Sequence, residues 1–149
     1  MTSQERPILQ SAAELRQHMA DLQAEKARLL QAKRHKAEEA ARSFADDFVH
    51  NSLSEDERQE VLAKIRHAVD NGQLEVLVMR FPSRLCSDQG RAINNNLDNW
   101  PETLPGKARD LYEAWLERGK PAGYRLRVMI IDFPGGMPGD VGMFINWAE

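Results

Sequence analysis

Apolar residues recur at steps of three, four and seven along the first third of the chain. One row runs through Ile8, Leu15, Leu22, Leu29, Ala37 and Phe44, and an adjoining row through Ala12, Met19, Lys26, Ala41 and Phe48. Rows with this spacing share one face of an α-helix. From about Ile8 to Val49 there is no glycine or proline, and Ala, Leu, Gln, Glu, Lys and Arg dominate, all good helix formers. Pro7 suits a first helical turn, where its missing N–H is not needed. Five steps carry the row from Ile8 to Phe44, a mean step of about 7.2, so the stripe runs straight along the helix instead of winding left-handedly. Its leading half is leucine-rich, its middle is crowded by Lys26, Lys33, Arg34 and Lys36, and its end is aromatic. Ala37, Ala41, Phe44 and Phe48 are expected to pack on a globular domain of the same chain. Leu15, Met19, Leu22 and Leu29 need another cover, because most helical stability comes from packing an apolar face.

Beyond residue 50 the period changes repeatedly. Ser54 and Glu57 have capping-box spacing, and Val61, Leu62, Ile65, Ala68 and Val69 form a helical face that Asn71-Gly72 stops, predicting a helix over 55–70. Leu74 to Phe81 is apolar on both parities except at Glu75 and Arg80, the pattern of a strand covered on both faces or interior to a sheet. Ser87 or Asp88 is placed to cap a short helix, and Asp98 or Asn99 a turn at Trp100-Pro101. After Pro105-Gly106, the positions Leu104, Ala108, Leu111, Tyr112, Trp115 and Leu116 keep helical spacing until Gly119 and Pro121. Tyr124, Leu126, Val128 and Ile130 alternate with Arg125 and Arg127. The glycine-rich segment Pro134–Asp140 then joins that strand to a last one over about Val141–Trp147, as an antiparallel hairpin. The expected fold is α+β: a helical arm over 1–50, then a compact domain over 51–149 with a sheet of at least three strands, at least partly antiparallel, covered by helices, in the order α-α-β-α-α-β-β.

Composition changes little in this picture. Of 149 residues, 42% are hydrophobic and 29% charged, which is globular usage and argues against wholesale disorder. A net charge of −3 offers no general attraction to nucleic acid or anionic membrane. The basic cluster Lys33-Arg34-His35-Lys36 is flanked by Glu38 and Glu39 and reads as a solvated face, so nucleic-acid binding is not expected. One cysteine, Cys86, leaves no intramolecular disulfide and no multi-cysteine zinc site. No apolar stretch is long enough for a leader or a membrane span, so the expectation is a cytoplasmic protein off the membrane.

Chemistry-bearing residues concentrate in two places. Asp88, Arg91 and Asn94, with Asn95, form a polar segment over 87–96, and Asp132, Gly135, Gly136 and Asp140 mark the loop over 132–140. Bare glycine N–H groups can cradle an anion. Phosphate loops, however, set their glycines between a strand and a helix and add a lysine, whereas here a strand follows and there is no lysine. A hairpin turn needing positive φ and a ligand-contacting loop both remain open. Arg91 is spaced to clamp a carboxylate or phosphate or to pair with Asp88. Asp88, Asp132 and Asp140 match no metal-loop spacing, and no cofactor or metal is called for. Cys86 precedes a helix start, but the histidines offer little as a base, with His18 and His35 on the arm, His50 at its end and only His67 on the domain's first helix, so it reads as core.

Two functional readings follow. The leading one is a non-enzymatic, self-associating protein, a homo-oligomer with the dimer foremost, that assembles through Leu15, Met19, Leu22 and Leu29 and binds through its α+β domain. The alternative is a small-molecule or anion-binding domain, even an enzyme, with its site between segments 87–96 and 132–140.

Overall fold

A computed structural model describes residues 9–149; Pro7 and Ile8, expected to open the first helix and its stripe, lie outside the described residues. The element order is α1 (Ala12–His50), α2 (Glu55–Asp70), β1 (Glu75–Pro82), a 3-10 turn (Ser83–Leu85), α3 (Arg91–Asn94), a second 3-10 turn (Trp100–Thr103), α4 (Gly106–Ala114), a π-helical turn (Trp115–Gly119), β2 (Arg125–Ile130), a third 3-10 turn (Pro134–Gly136) and β3 (Asp140–Asn146). This is the α+β fold in the expected order. None of the described helices is long and apolar enough to cross a membrane.

The chain divides into two units between Ser43 and Phe44, inside α1. In the first unit, the hydroxyl of Ser11 accepts the N–H of Glu14 (3.1 Å) and so caps the helix start. Every residue from Leu9 to Phe44 is exposed. Of the four residues expected to pack on the domain, Ala37, Ala41 and Phe44 are exposed and only Phe48 is buried. The reason is local: Phe48 lies against Phe81 with ring centres 5.0 Å apart, and Phe44 stacks on the other side of Phe48 at 5.3 Å.

The second unit is built on a three-stranded sheet in the order β1-β3-β2, with both pairings antiparallel. The strand expected to be either covered on both faces or interior, β1, is an edge, and β3 takes the centre. A bulge explains the misleading pattern. Val76 pairs with Ile145 and Leu77 with Phe144, but the next partners are Met79 and Met143, so Val78 is an inserted residue. Inward positions are even before the insertion and odd after it, and both parities look apolar without a second covered face. Val78 and Met79 are both buried at the bulge.

One sheet face carries Val141, Met143 and Ile145 of β3 with Leu126, Val128 and Ile130 of β2, and it joins the buried core with Phe48, Phe81, Cys86, Ile93, Leu104, Ala108 and Leu111. The capping box at Ser54 and Glu57 forms as the spacing requires, and Asn71 ends α2. At the start of α4 the chain passes close to the α1–α2 turn. A Cβ on Gly106 would stand 2.5 Å from the Val49 carbonyl oxygen and 2.7 Å from that of Asn51, so no larger residue fits without backbone movement.

The opposite sheet face carries Gly142 and Phe144 of β3. A Cβ on Gly142 would fall 2.6 Å from Ile131, with Phe144 and Leu77 close behind, so the glycine lets these three side chains close over the central strand. Arg127 lies over the Phe144 ring (4.9 Å) and pairs with Glu75, which also accepts from Asn146 (2.9 Å). The Arg127 guanidinium, followed by Asn146, holds the Glu75 carboxyl below its ordinary pKa.

Candidate functional site

The two polar segments singled out in the sequence flank a single residue. The Ser83 N–H donates to the Gly139 carbonyl (2.9 Å) and its hydroxyl to the Pro138 carbonyl (3.3 Å). On its other side Ser83 faces Gly90, where an added Cβ would come within 2.8 Å of the serine Cβ. Buried Ser83 thus fills the space where a cleft between 87–96 and 132–140 was expected. Asp88 is consumed locally, its carboxylate accepting the N–H groups of Gly90 (3.0 Å) and Ala92 (2.9 Å) to start α3. Arg91 and Asn94 are exposed on that helix.

Asp132 and Asp140 do come together, through a residue the sequence reading left out. Arg80 Nε donates to Asp140 (2.6 Å) and its Nη2 to Asp132 (3.0 Å). Asp132 also accepts the backbone N–H of Asp140 (2.6 Å). Its hydrogen bond to Asp140 raises the Arg80 guanidinium further above its ordinary pKa. The carboxylates are turned on their own loop and on Arg80, a hairpin lock rather than an open ligand set. Gly135 (φ 62°) and Gly136 (φ 80°) take the left-handed conformation that the turn needs. Gly139 is held differently: a Cβ there would stand 2.1 Å from the Asp132 carboxylate. The one sequence signal for Arg80 was that, with Glu75, it broke an otherwise apolar run.

Cys86 is buried in the core, and burial first, then the charge of Asp88, pushes its thiol up to about 11. Thiolate chemistry at neutral pH has no support at such a position.

A second cluster was also unforeseen. Lys107 on α4 is buried, and its ammonium donates to Asp47 (2.7 Å) near the end of α1 and to both oxygens of Glu57 (2.7 and 2.8 Å) at the start of α2. The hydrogen bond from Lys107 holds the Asp47 and Glu57 carboxyls below their ordinary values. The same contacts, Asp47 first, raise Lys107 above its own. Beside it, Asp110 accepts the N–H of Leu53 (2.9 Å) and pairs with Arg58 (3.2 Å). These groups saturate one another and fasten three helices.

A cleft of about 490 Å³ between α2 and α4 has room for a ligand. Val61 and Ile65 of α2 form one wall, Leu111 and Trp115 the other, and Tyr124 and Ile145 are at the sheet side. Where α4 widens into its π-turn, Lys120 N–H reaches the Trp115 carbonyl (2.7 Å) and the Trp115 indole N–H reaches the Tyr124 carbonyl (3.0 Å). Gly119 makes this possible, since a Cβ there would meet the indole at 2.8 Å. Single π-turns inside helices concentrate at functional sites. The polar rim consists of Arg58, held by Asp110; Glu55, held by Gln59 (3.0 Å); and Arg118 on the π-turn.

The leading half of α1 presents Leu15 (44% exposed), Met19 (60%), Leu22 (48%) and Leu29 (60%), with Leu30 beside them. Compared with known proteins, the chain matches no family model, no curated protein and no solved structure.

Proposed function

We propose that the chain is a self-associating protein whose helical arm pairs with the arm of a second copy. The observation that carries this reading is the exposure of every residue from Leu9 to Phe44, the leucines of the stripe included. Covering a half-exposed leucine contributes about 1–2 kcal/mol at about 25 cal/mol per Å². Five such residues from each of two copies supply on the order of 10–20 kcal/mol. That is enough to offset the roughly 4–15 kcal/mol that association costs in lost freedom. A second copy is the occupant because a two-fold pair matches each leucine with an equally apolar surface, with no further partner required.

Charge favours one orientation. A parallel, in-register pair sets Lys26, Lys33 and Lys36 beside their own copies, which repel. An antiparallel pair centred near Leu22 brings Leu15, Met19, Leu22 and Leu29 together and moves the two basic segments to opposite ends. Assembly is a better reading than catalysis because the titratable clusters of the compact unit are saturated by their own partners, and Cys86 is shielded.

Light scattering on the full chain, on a chain lacking residues 1–36, and on the double variant Leu22→Asp, Leu29→Asp tests the proposal. The full chain is expected to have a dimer mass and the other two a monomer mass, with the double variant also losing helical circular dichroism from the arm. A monomer mass for the full chain, or a dimer mass that survives both changes, defeats it.

A further inference from the structure

We infer that the cleft between α2 and α4 binds a small amphiphilic carboxylate, an acyl or aromatic acid whose apolar body lies against Trp115, Val61 and Ile65 and whose carboxylate meets Arg118. The inference does not depend on assembly by the arm, since every residue lining the cleft belongs to the compact unit. A volume of about 490 Å³ falls within the roughly 300–1,000 Å³ of small-molecule sites. Apolar walls with few polar groups at one end are the usual make-up of such sites.

The charge at the rim selects the headgroup. Of the ionised side chains that line the cleft, Arg58 is neutralised by Asp110, and Glu55 accepts from Gln59. Arg118 is exposed and, among the described residues, has no carboxylate within ion-pair distance. A guanidinium at the mouth of an apolar cleft favours a carboxylate, which it can hold through two parallel hydrogen bonds. The indole N–H of Trp115 is already given to the Tyr124 carbonyl, so within the cleft the ring serves as an apolar surface. The π-turn joins the two functions, because Trp115 opens it and Arg118 is its fourth residue.

Nuclear magnetic resonance titration of the full chain with decanoate, and separately with the uncharged decanol and the cationic decylammonium, provides the test. Decanoate, kept below its micelle concentration, is expected to shift the Trp115 indole and Tyr124 amide signals and to bind more tightly than the other two. Arg118→Glu removes the cation from an exposed position that supports no core contact. It should weaken decanoate by about tenfold or more, the usual loss of a charge-assisted contact, and leave decanol unchanged. Ile65→Trp fills the cleft and should abolish binding of all three. Shifts confined to the leucines of the arm, equal affinity for decanoate and decanol, or decanoate binding that survives Arg118→Glu would each overturn the assignment. So would an Ile65→Trp variant that alters the oligomeric mass while the wild-type chain ignores decanoate, because the cleft would then be a protein interface.

Discussion

The arm and the compact unit use charge in opposite ways. On the arm, polar contacts join residues one turn apart, the Glu25–Arg28 ion pair and the contact of His35 with Glu39, and both partners stay in water. Apart from the His50–Asp46 contact at the end of α1, pairs in the compact unit join residues far apart in sequence: Lys107 with Asp47 and Glu57, Arg80 with Asp132 and Asp140, Arg127 with Glu75. Local pairs support helix wherever the helix happens to be; distant pairs form only when the fold has already brought their elements together. Burial differs too: the compact unit packs a core around Phe81, Val141 and Met143 while leaving Leu62, Val69, Leu74 and Phe133 as open as the arm's leucines, whereas the arm buries no side chain from Leu9 to Ser43. The compact unit therefore has long-range pairs and a core within one chain, while the arm has neither in its first 43 residues among those described.

The largest effect should come from the core. Phe81 is 1% exposed and its ring rests on Phe48, so Phe81→Ala leaves a cavity costing about 3–5 kcal/mol, read as a lower urea midpoint by tryptophan fluorescence. A cost below ~1 kcal/mol would mean that the compact unit is no better packed than the arm, and the contrast would collapse.

Lys107→Met comes next. It removes a donor that satisfies two carboxylates and should cost about 1–3 kcal/mol. The variant also changes the pH profile. Asp47 and Glu57 are held below their ordinary values of 3.8 and 4.5, so their stabilising contribution is complete above those values and is lost as pH falls through the lower folded pKa values. Lys107 is raised above 10.5, so its share is complete below that pH and lost as pH climbs through its folded value. Thermal melts from acid to alkaline pH should show both limbs in the native chain and shallower ones in Lys107→Met, where Glu75 still contributes to the acid limb. Identical profiles for the two proteins would remove Lys107 from its place as the clasp of three helices.

What could be read from residues alone followed from how local each feature is. The start of α2 was legible because Ser54 and Glu57 sit three apart and satisfy each other's backbone, and β2 because it opens with Arg125 and Arg127 alternating with Leu126 and Val128 before Met129 breaks the pattern. The edge position of β1 was not, because one inserted residue at Val78 makes both parities look buried. Nor was the π-turn, since Trp115 and Leu116 keep ordinary helical spacing while the hydrogen bonds widen around them. Of the expected polar site, Asp132 and Asp140 met, but across Arg80, and Asp88 turned back on its own helix. Their spacing matched no metal loop, and nothing in it named Arg80 as the partner. The cleft is a gap between helices, and a gap has no residue of its own to announce it. Lys107 was hidden for a related reason: a lysine in a helix is usually solvated, and only the approach of Asp47 and Glu57 makes burial tolerable.

The smallest predicted effect is the sharpest control on the comparison. Glu25→Gln removes the exposed pair with Arg28 on the arm while preserving side-chain size and helix propensity. An exposed pair one turn apart contributes roughly 0.2–0.5 kcal/mol, less in salt. At low ionic strength the arm's helical signal should therefore melt at a slightly lower temperature, and added salt should erase the difference. Glu25 lies beside the leucine row without belonging to it, so the mass measured by light scattering should not change. A loss as large as that from Lys107→Met, persisting in high salt, would mean that Glu25 is desolvated against another surface in the assembled protein. The arm's charges would then take part in recognition instead of merely keeping its outer face in water.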